Sequence, residues 1–149
     1  MANRNFNGVQ INQSVTIVEK AGADIADVRN RIVAYDEDGN IILAADGSAV
    51  LVGIALIESG TNDISGAESG KAAIGSDVDI QIKDIGYILA GGKIAKGDEV
   101  TAANGLAVKA EAGNYVVGIA LSAAAKDDYC RVQIIKYQKS PEQEVKNNG

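Results

Sequence analysis

Leu51-Val52-Gly53-Ile54-Ala55-Leu56 returns downstream as Val116-Val117-Gly118-Ile119-Ala120-Leu121. Each copy is approached in the same way. An Asp-Gly or Asn-Gly turn (Asp38-Gly39, Asn104-Gly105) leads into a short apolar strand (Ile41-Ile42-Leu43, Leu106-Ala107-Val108), and a second glycine (Gly47, Gly113) precedes the repeated run. The copies are offset by 66 residues at the turns and by 65 at the last glycine, so one residue has been gained or lost between them. A run of this order at a nearly fixed period marks two similar β-units, spanning about 31–57 and 97–122.

Outward from the repeat, the chain alternates short apolar runs with glycine turns. Gly39 and Gly105 supply the positive φ that a tight hairpin needs. Gly53 and Gly118 lie inside strands, where glycine marks a bulge, a bend or a close backbone approach. These four are the structural glycines of the reading. Val15 to Val18, Arg31 to Tyr35 and Ala49 to Ile57 read as strands, and Asp24 to Val28 as one helical turn. Val78 to Lys83 alternates strictly, which predicts one buried and one wet face. Gly86 to Leu89 reads as its continuation, and Tyr129 to Tyr137 as the last strand. Some nine short strands with Gly-rich turns predict an all-β fold, a small Gly-rich barrel or a sandwich of two similar β-units. Residues 1–14 read as an extended N-terminal arm before a single β-domain over 15–137. Residues 58–76 form a Gly/Ser loop. The polar stretch 138–149 has too little apolar surface to offset chain entropy and is expected to be a disordered tail.

Composition narrows the function. Apolar residues make up 46% and charged residues 23% of 149, the balance of an ordinary globular domain. There is no Trp, one Phe and five Tyr, so aromatic platforms for bases or sugars are scarce. The net charge of −6 disfavours nucleic acid and anionic membranes, whose affinity rests on Lys and Arg. No run of 18 apolar residues predicts a membrane span. The first residues lack the apolar core of a signal peptide, so synthesis and first use in a cytoplasm are expected. Histidine is absent, which removes His-based triads and His-ligated zinc. Cys130 is the sole cysteine and sits in an alternating strand, where it reads as a small buried hydrophobe.

Weighed one by one, the polar clusters predict no catalytic residue, no metal site and no cofactor. Asp36-Glu37-Asp38-Gly39 is acidic but lacks the further carboxylates of a calcium loop and reads as a hairpin turn. Glu58, Asp63 and Glu68 follow no ligand spacing. Gly91-Gly92-Lys93-Ile94-Ala95-Lys96-Gly97-Asp98 is not a phosphate-binding loop, which needs Gly-Lys-Ser/Thr between strand and helix. Lys93 and Lys96 lack the Met or Asp neighbour of a lipoyl or biotinyl carrier. Phe6, in its polar setting of Asn3, Arg4, Asn5 and Asn7, is suited either to folding back on its own domain or to docking on a partner.

The order of these elements resembles the capsid cement, or head decoration, proteins of tailed phages. Lys20-Ala21-Gly22-Ala23, Arg31-Ile32-Val33, Asp36-Glu37-Asp38-Gly39, Leu43-Ala44-Ala45 and Val52-Gly53-Ile54 carry it in the first half. Gly91 to Gly97-Asp98-Glu99-Val100, and Val117-Gly118-Ile119-Ala120, carry it in the second. The resemblance covers about residues 20–136. It implies a non-enzymatic structural virion protein, often a homotrimer, whose partner is the major capsid protein. It would be made in the bacterial host cytoplasm and located on the capsid exterior. It would bind the outer surface of an expanded HK97-type shell and clamp neighbouring capsomers, with Asn3, Arg4, Asn5, Phe6 and Asn7 as the expected capsid-binding arm. A tail or baseplate β-domain, or a lipoyl- or biotinyl-like carrier, are the competing readings.

Overall fold

A computed structural model describes residues 15–56, 59–61, 64–65 and 69–142. Ten strands follow one another: β1 Thr16–Lys20, β2 Ile32–Tyr35, β3 Ile41–Leu43, β4 Leu51–Ala55, β5 Asp77–Gln81, β6 Ile85–Leu89, β7 Glu99–Ala103, β8 Leu106–Lys109, β9 Tyr115–Ala120 and β10 Tyr129–Gln138. They form two five-stranded antiparallel sheets, ordered β1-β5-β4-β2-β3 and β6-β10-β9-β7-β8. Adding five to each label of the first order gives the second. The two-unit sandwich is therefore the architecture, with neither sheet closed into a barrel.

The duplication runs deeper than the repeated phrase. Val33 pairs with Gly53 as Val100 pairs with Gly118, and Ala55 pairs with Ile80 as Ala120 pairs with Val132. Outside the strands, the parallel bridge Ala21–Ile41 returns as Ala90–Ala107, and Ile25–Ala72 returns as Ile94–Ala124. Gly22 N–H donates to Ile41 O as Gly91 N–H donates to Ala107 O. Left-handed positions recur too, even where the residue differs: Asn30 and Gly97, Gly75 and Asp127, Gly39 and Gly105. A shared backbone thus survives sequence drift, because each buried N–H and C=O must find the same partner in both halves.

Gly53 and Gly118 are explained by this geometry. Val33 faces Gly53 but Ala34 faces Leu51, so β4 is bulged at Val52. On its other side β4 runs so close to β5 that a Cβ at Gly53 would overlap Gln81 O. A Cβ at Gly118 would likewise overlap Gln133 O. Neither glycine has positive φ; close backbone approach alone demands it.

Three expectations change. The run read as one strand over 78–89 is two strands in different sheets. The break is at Asp84, whose φ of 70° turns the chain out of the first half and into the second. Residues 24–28 are not a helical turn but an irregular crossover pinned by Ile25 to Ala72, since bridging strands that are not neighbours needs an extended path. The tail is ordered at its start: β10 reaches Gln138, and Lys139 exchanges backbone bonds with Asn114 and Gly113. Residues 143–149 lie outside the described part.

The halves bury two clusters. One is internal to the first half and includes Val33, Ile41, Val52, Val78 and Ile80. The other fills the second half with Val100, Val117, Cys130 and Val132, and extends across the junction to Ile32, Leu51 and Ile54. These three first-half side chains are 0–2% exposed. Each contributes about 1.5–3 kcal/mol on burial, enough to hold the two sheets as one body.

Candidate functional site

Asn3, Arg4, Asn5, Phe6 and Asn7 lie outside the described residues, as do Glu58, Asp63 and Glu68. Among the other candidates, Asp36-Glu37-Asp38-Gly39 is a hairpin turn. Asp36 Oδ1 accepts from the N–H groups of Asp38 and Asn40, both at 2.9 Å, leaving Glu37 and Asp38 exposed at the tip. Lys93 and Lys96 are exposed on the crossover between β6 and β7, anchored by the Ile94–Ala124 bridge rather than held out on a hairpin. Cys130 is fully buried in β10, burial pushes its thiol pKa up, and its Sγ faces Ser122 O at 3.5 Å. That is a packing residue and a poor thiolate. Among the described residues, no three His, Cys, Asp or Glu side chains gather as metal ligands.

The sequence reading missed a cleft at the junction of the halves. Asp27, Arg29, Asn30, Arg31, Leu89 and Tyr129 enclose about 150 Å³. Arg29 grips Asp27 with two bonds, Nε to Oδ1 at 3.0 Å and a terminal nitrogen to Oδ2 at 2.9 Å. That hydrogen-bonded guanidinium holds the Asp27 carboxyl below its usual range, against a smaller opposing effect of burial. Asn30, in the left-handed conformation, donates from Nδ2 to Tyr87 O at 3.0 Å, and its buried Oδ1 has no partner among the described residues. The alternation Asp27-x-Arg29-x-Arg31 was the available signal, obscured by assigning the segment to a helical turn. The Asp27–Arg29 pair locks the crossover into β2, and so positions Ile32 at the junction.

The free surfaces of the two halves carry apolar side chains. Val18, Tyr35 and Val50 are exposed on the first half, and Tyr87, Tyr129, Ile135 and Tyr137 on the second. At the far side of the second half, Glu99 accepts from the Tyr137 hydroxyl at 2.6 Å and pairs with Lys139 at 3.1 Å. These partners, Tyr137 first, hold the Glu99 carboxyl below its usual range. Burial, aided by the bond to Glu99, pushes Tyr137 up to about 12. Lys109 pairs with Asp98 at 3.5 Å while remaining 65% exposed. Tyrosines and branched aliphatics edged by single charges suit protein docking, where aromatic anchors dominate affinity.

No protein-family model matches this chain, and no curated protein does. Among solved structures, the fold is similar to that of the N base of the head fiber gp8.5 of bacteriophage phi29. The TM-score is 0.58 at 18% identity, over 89% of this chain and 100% of that one.

Proposed function

We propose that this chain is a structural, non-enzymatic virion protein that binds the outer surface of an expanded HK97-type phage shell as a homotrimer and clamps neighbouring capsomers. The observation that carries the reading is the likeness to a phage head fiber base along nearly the whole chain, both halves included. The order of short motifs in the sequence supports the same class independently. Burial also favours assembly over chemistry: the core is small and branched, while tyrosines stand on the outside.

Mechanistically, the two joined sheets form a stiff block with separate faces for the shell and for other copies. Each trimer would touch several capsid subunits, and linking modest contacts raises avidity without any new contact type. The arm, with Phe6 as its anchor, would supply one contact, by strand addition or by insertion into a pocket of the major capsid protein.

The test mixes purified protein with heads from its own phage that lack it, before and after expansion, and pellets them. Saturable binding to expanded heads alone is expected. Binding to neither form would overturn the reading and favour a tail or baseplate position. Removing residues 2–8 should abolish binding with the melting temperature unchanged; undiminished binding would remove the arm from the mechanism.

A further inference from the structure

The internal junction offers a template for a contact between chains. The two halves do not meet through matching faces. The Asn104-Gly105 tip of the β7–β8 hairpin lies on the start of β2 and the end of β3: Gly105 O accepts from Ile32 N–H, and Gly105 N–H donates to Ala44 O. A Cβ at Gly105 would come within 3.1 Å of Leu43 Cδ2. Beside the tip, β6 lies against β4, and a Cβ at Gly86 would come within 2.6 Å of Ile54 Cδ1. Among the described residues, no reciprocal contact links the Asp38-Gly39 tip to the second half. The junction is therefore heterologous and leaves one unused copy of each surface.

Those unused copies are identifiable because strand pairing maps one half onto the other. The twin of the docking tip is Asp38-Gly39, where a Cβ on Gly39 would meet nothing within 4 Å. The twin of Tyr87 on the adjoining edge is Val18, which is 56% exposed. On the receiving side, Ile54 corresponds to Ile119 and Leu43 to Lys109. Ile54 is buried by the junction, whereas Ile119 is partly exposed.

Most charges at these positions have changed in step; the exception is Glu99, the twin of Ile32, whose carboxylate is taken up by Tyr137 and Lys139. Within the chain, a neutral tip meets apolar Leu43. At the free surfaces, a tip carrying Glu37 and Asp38 would meet Lys109, with Lys139 nearby at Glu99. Lys109, itself largely exposed, is held at home by one ion pair, to the mostly covered Asp98.

We propose that a second copy of this chain occupies the Lys109–Ile119 surface, seating its Asp38-Gly39 hairpin there as Asn104-Gly105 seats within one chain. Chains then join head to tail, and closure of that contact makes a ring of alternating first and second halves. This deepens the homotrimer reading above and rests on it for the number of chains.

The experiment is sedimentation of the full purified chain without heads, for the parent, Asp38→Lys, Lys109→Asp and the chain carrying both changes. A closed trimer is expected for the parent. Each single reversal sets like charges against one another and should weaken association roughly tenfold or more. The doubly changed chain, with the pair restored in swapped order, should recover the trimer. On dilute, monomeric protein Asp38→Lys should melt as the parent does, while Lys109→Asp should melt somewhat lower, because it loses the pair with Asp98 and sets a second carboxylate beside it. A parent that stays monomeric, or an oligomer indifferent to both reversals, overturns the proposal. Head binding is scored separately: a monomer that binds expanded heads sinks this contact alone, and a charge-sensitive trimer that binds none sinks the shell reading alone.

Discussion

The first and second halves share a backbone but not a surface, and the difference separates what folding requires from what is free to specialise. Where both halves keep the same residue, the reason is internal. Gly53 and Gly118 admit the neighbouring strand, and Ala21 with Ala90 and Ala72 with Ala124 sit in tight crossovers. Where they differ on the surface, two positions of the first half gain a tyrosine in the second and one reverses its charge. Asp77, paired with Lys20, has Tyr129 as its twin, Asp79 has Arg131, and Val18 has Tyr87. Lys20–Asp77 is a solvated pair of little energetic consequence. Tyr87 and Tyr129 expose apolar area that water disfavours, which marks the second half as the richer docking face.

The sharpest way to break the comparison is to add one methyl group to each half. Gly53→Ala and Gly118→Ala both drive a Cβ into a backbone carbonyl that sits in a ladder and cannot swing aside. Each should cost about 3 kcal/mol or more, at the severe end for overpacking. Similar losses in a single thermal transition would show the halves equivalent and cooperatively coupled. Two separate transitions in either variant would show that the junction does not unite them.

A smaller effect is expected at the junction itself. Gly86→Ala meets Ile54 Cδ1, the end of a flexible side chain, so the cost should fall to about 1–3 kcal/mol. The twin of Gly86 is Ile17, which shows that β6 lost a side chain where the first half leans on it. Combining Gly86→Ala with Ile54→Val should return part of the loss, because the clashing methyl is removed. Purely additive losses in this pair would show that Ile54 is not what Gly86 accommodates.

Smaller again is the contrast between the two hairpin tips. Gly39 and Gly105 have φ of 80° and 78°, so alanine pays the same left-handed penalty at both, about 1–2 kcal/mol. Gly105 alone has neighbours, Leu43 Cδ2 at 3.1 Å and Arg31 Cβ at 3.3 Å from an added Cβ. Measured by denaturant on dilute protein, Gly105→Ala should therefore be the more costly of the two. Equal costs would show that the tip touches the first half without packing on it.

These contrasts also explain what could be read before the structure. The repeated phrase was legible because the close backbone approach at Gly53 in β4 and Gly118 in β9 admits no side chain there. The flanking twins, β1 with β6 and β5 with β10, were not. Their surface residues have diverged, and fifteen residues separate Leu56 from Ala72 where two separate Leu121 from Ala124. The sheet change at Asp84 was hidden because an Asp in left-handed conformation leaves no mark as plain as glycine. The junction cleft was hidden for another reason. Its residues come from the first crossover, from β6 and from β10, and contacts so distant in sequence carry no local period. The acidic tip and the lysines were visible as charges, but their correspondence emerges only once strand pairing aligns the halves.

The smallest expected effect is the pH dependence set by the Glu99–Tyr137 pair of the second half. Glu99 has a depressed folded pKa, so its contribution is present above the unfolded value of about 4.3 and is lost as pH falls through the folded value. Tyr137 is raised, to about 12, so its contribution is complete below about 10 and is lost as pH climbs through the folded value. The first-half position equivalent to Glu99 is Ile32, buried at the junction and without a titrating group. Glu99→Gln should flatten the fall in melting temperature below about pH 4, and Tyr137→Phe should flatten the fall above about pH 10. Both shifts should be small, because the pair is largely exposed to solvent and salt. Head-to-tail contact at the adjoining Lys109–Ile119 surface would shield that pair. The acid-side slope of the parent should then be steeper at concentrations where it is a trimer than where it is dilute. A slope that ignores concentration would place Glu99 and Tyr137 outside the contact and confine it to the Lys109 side.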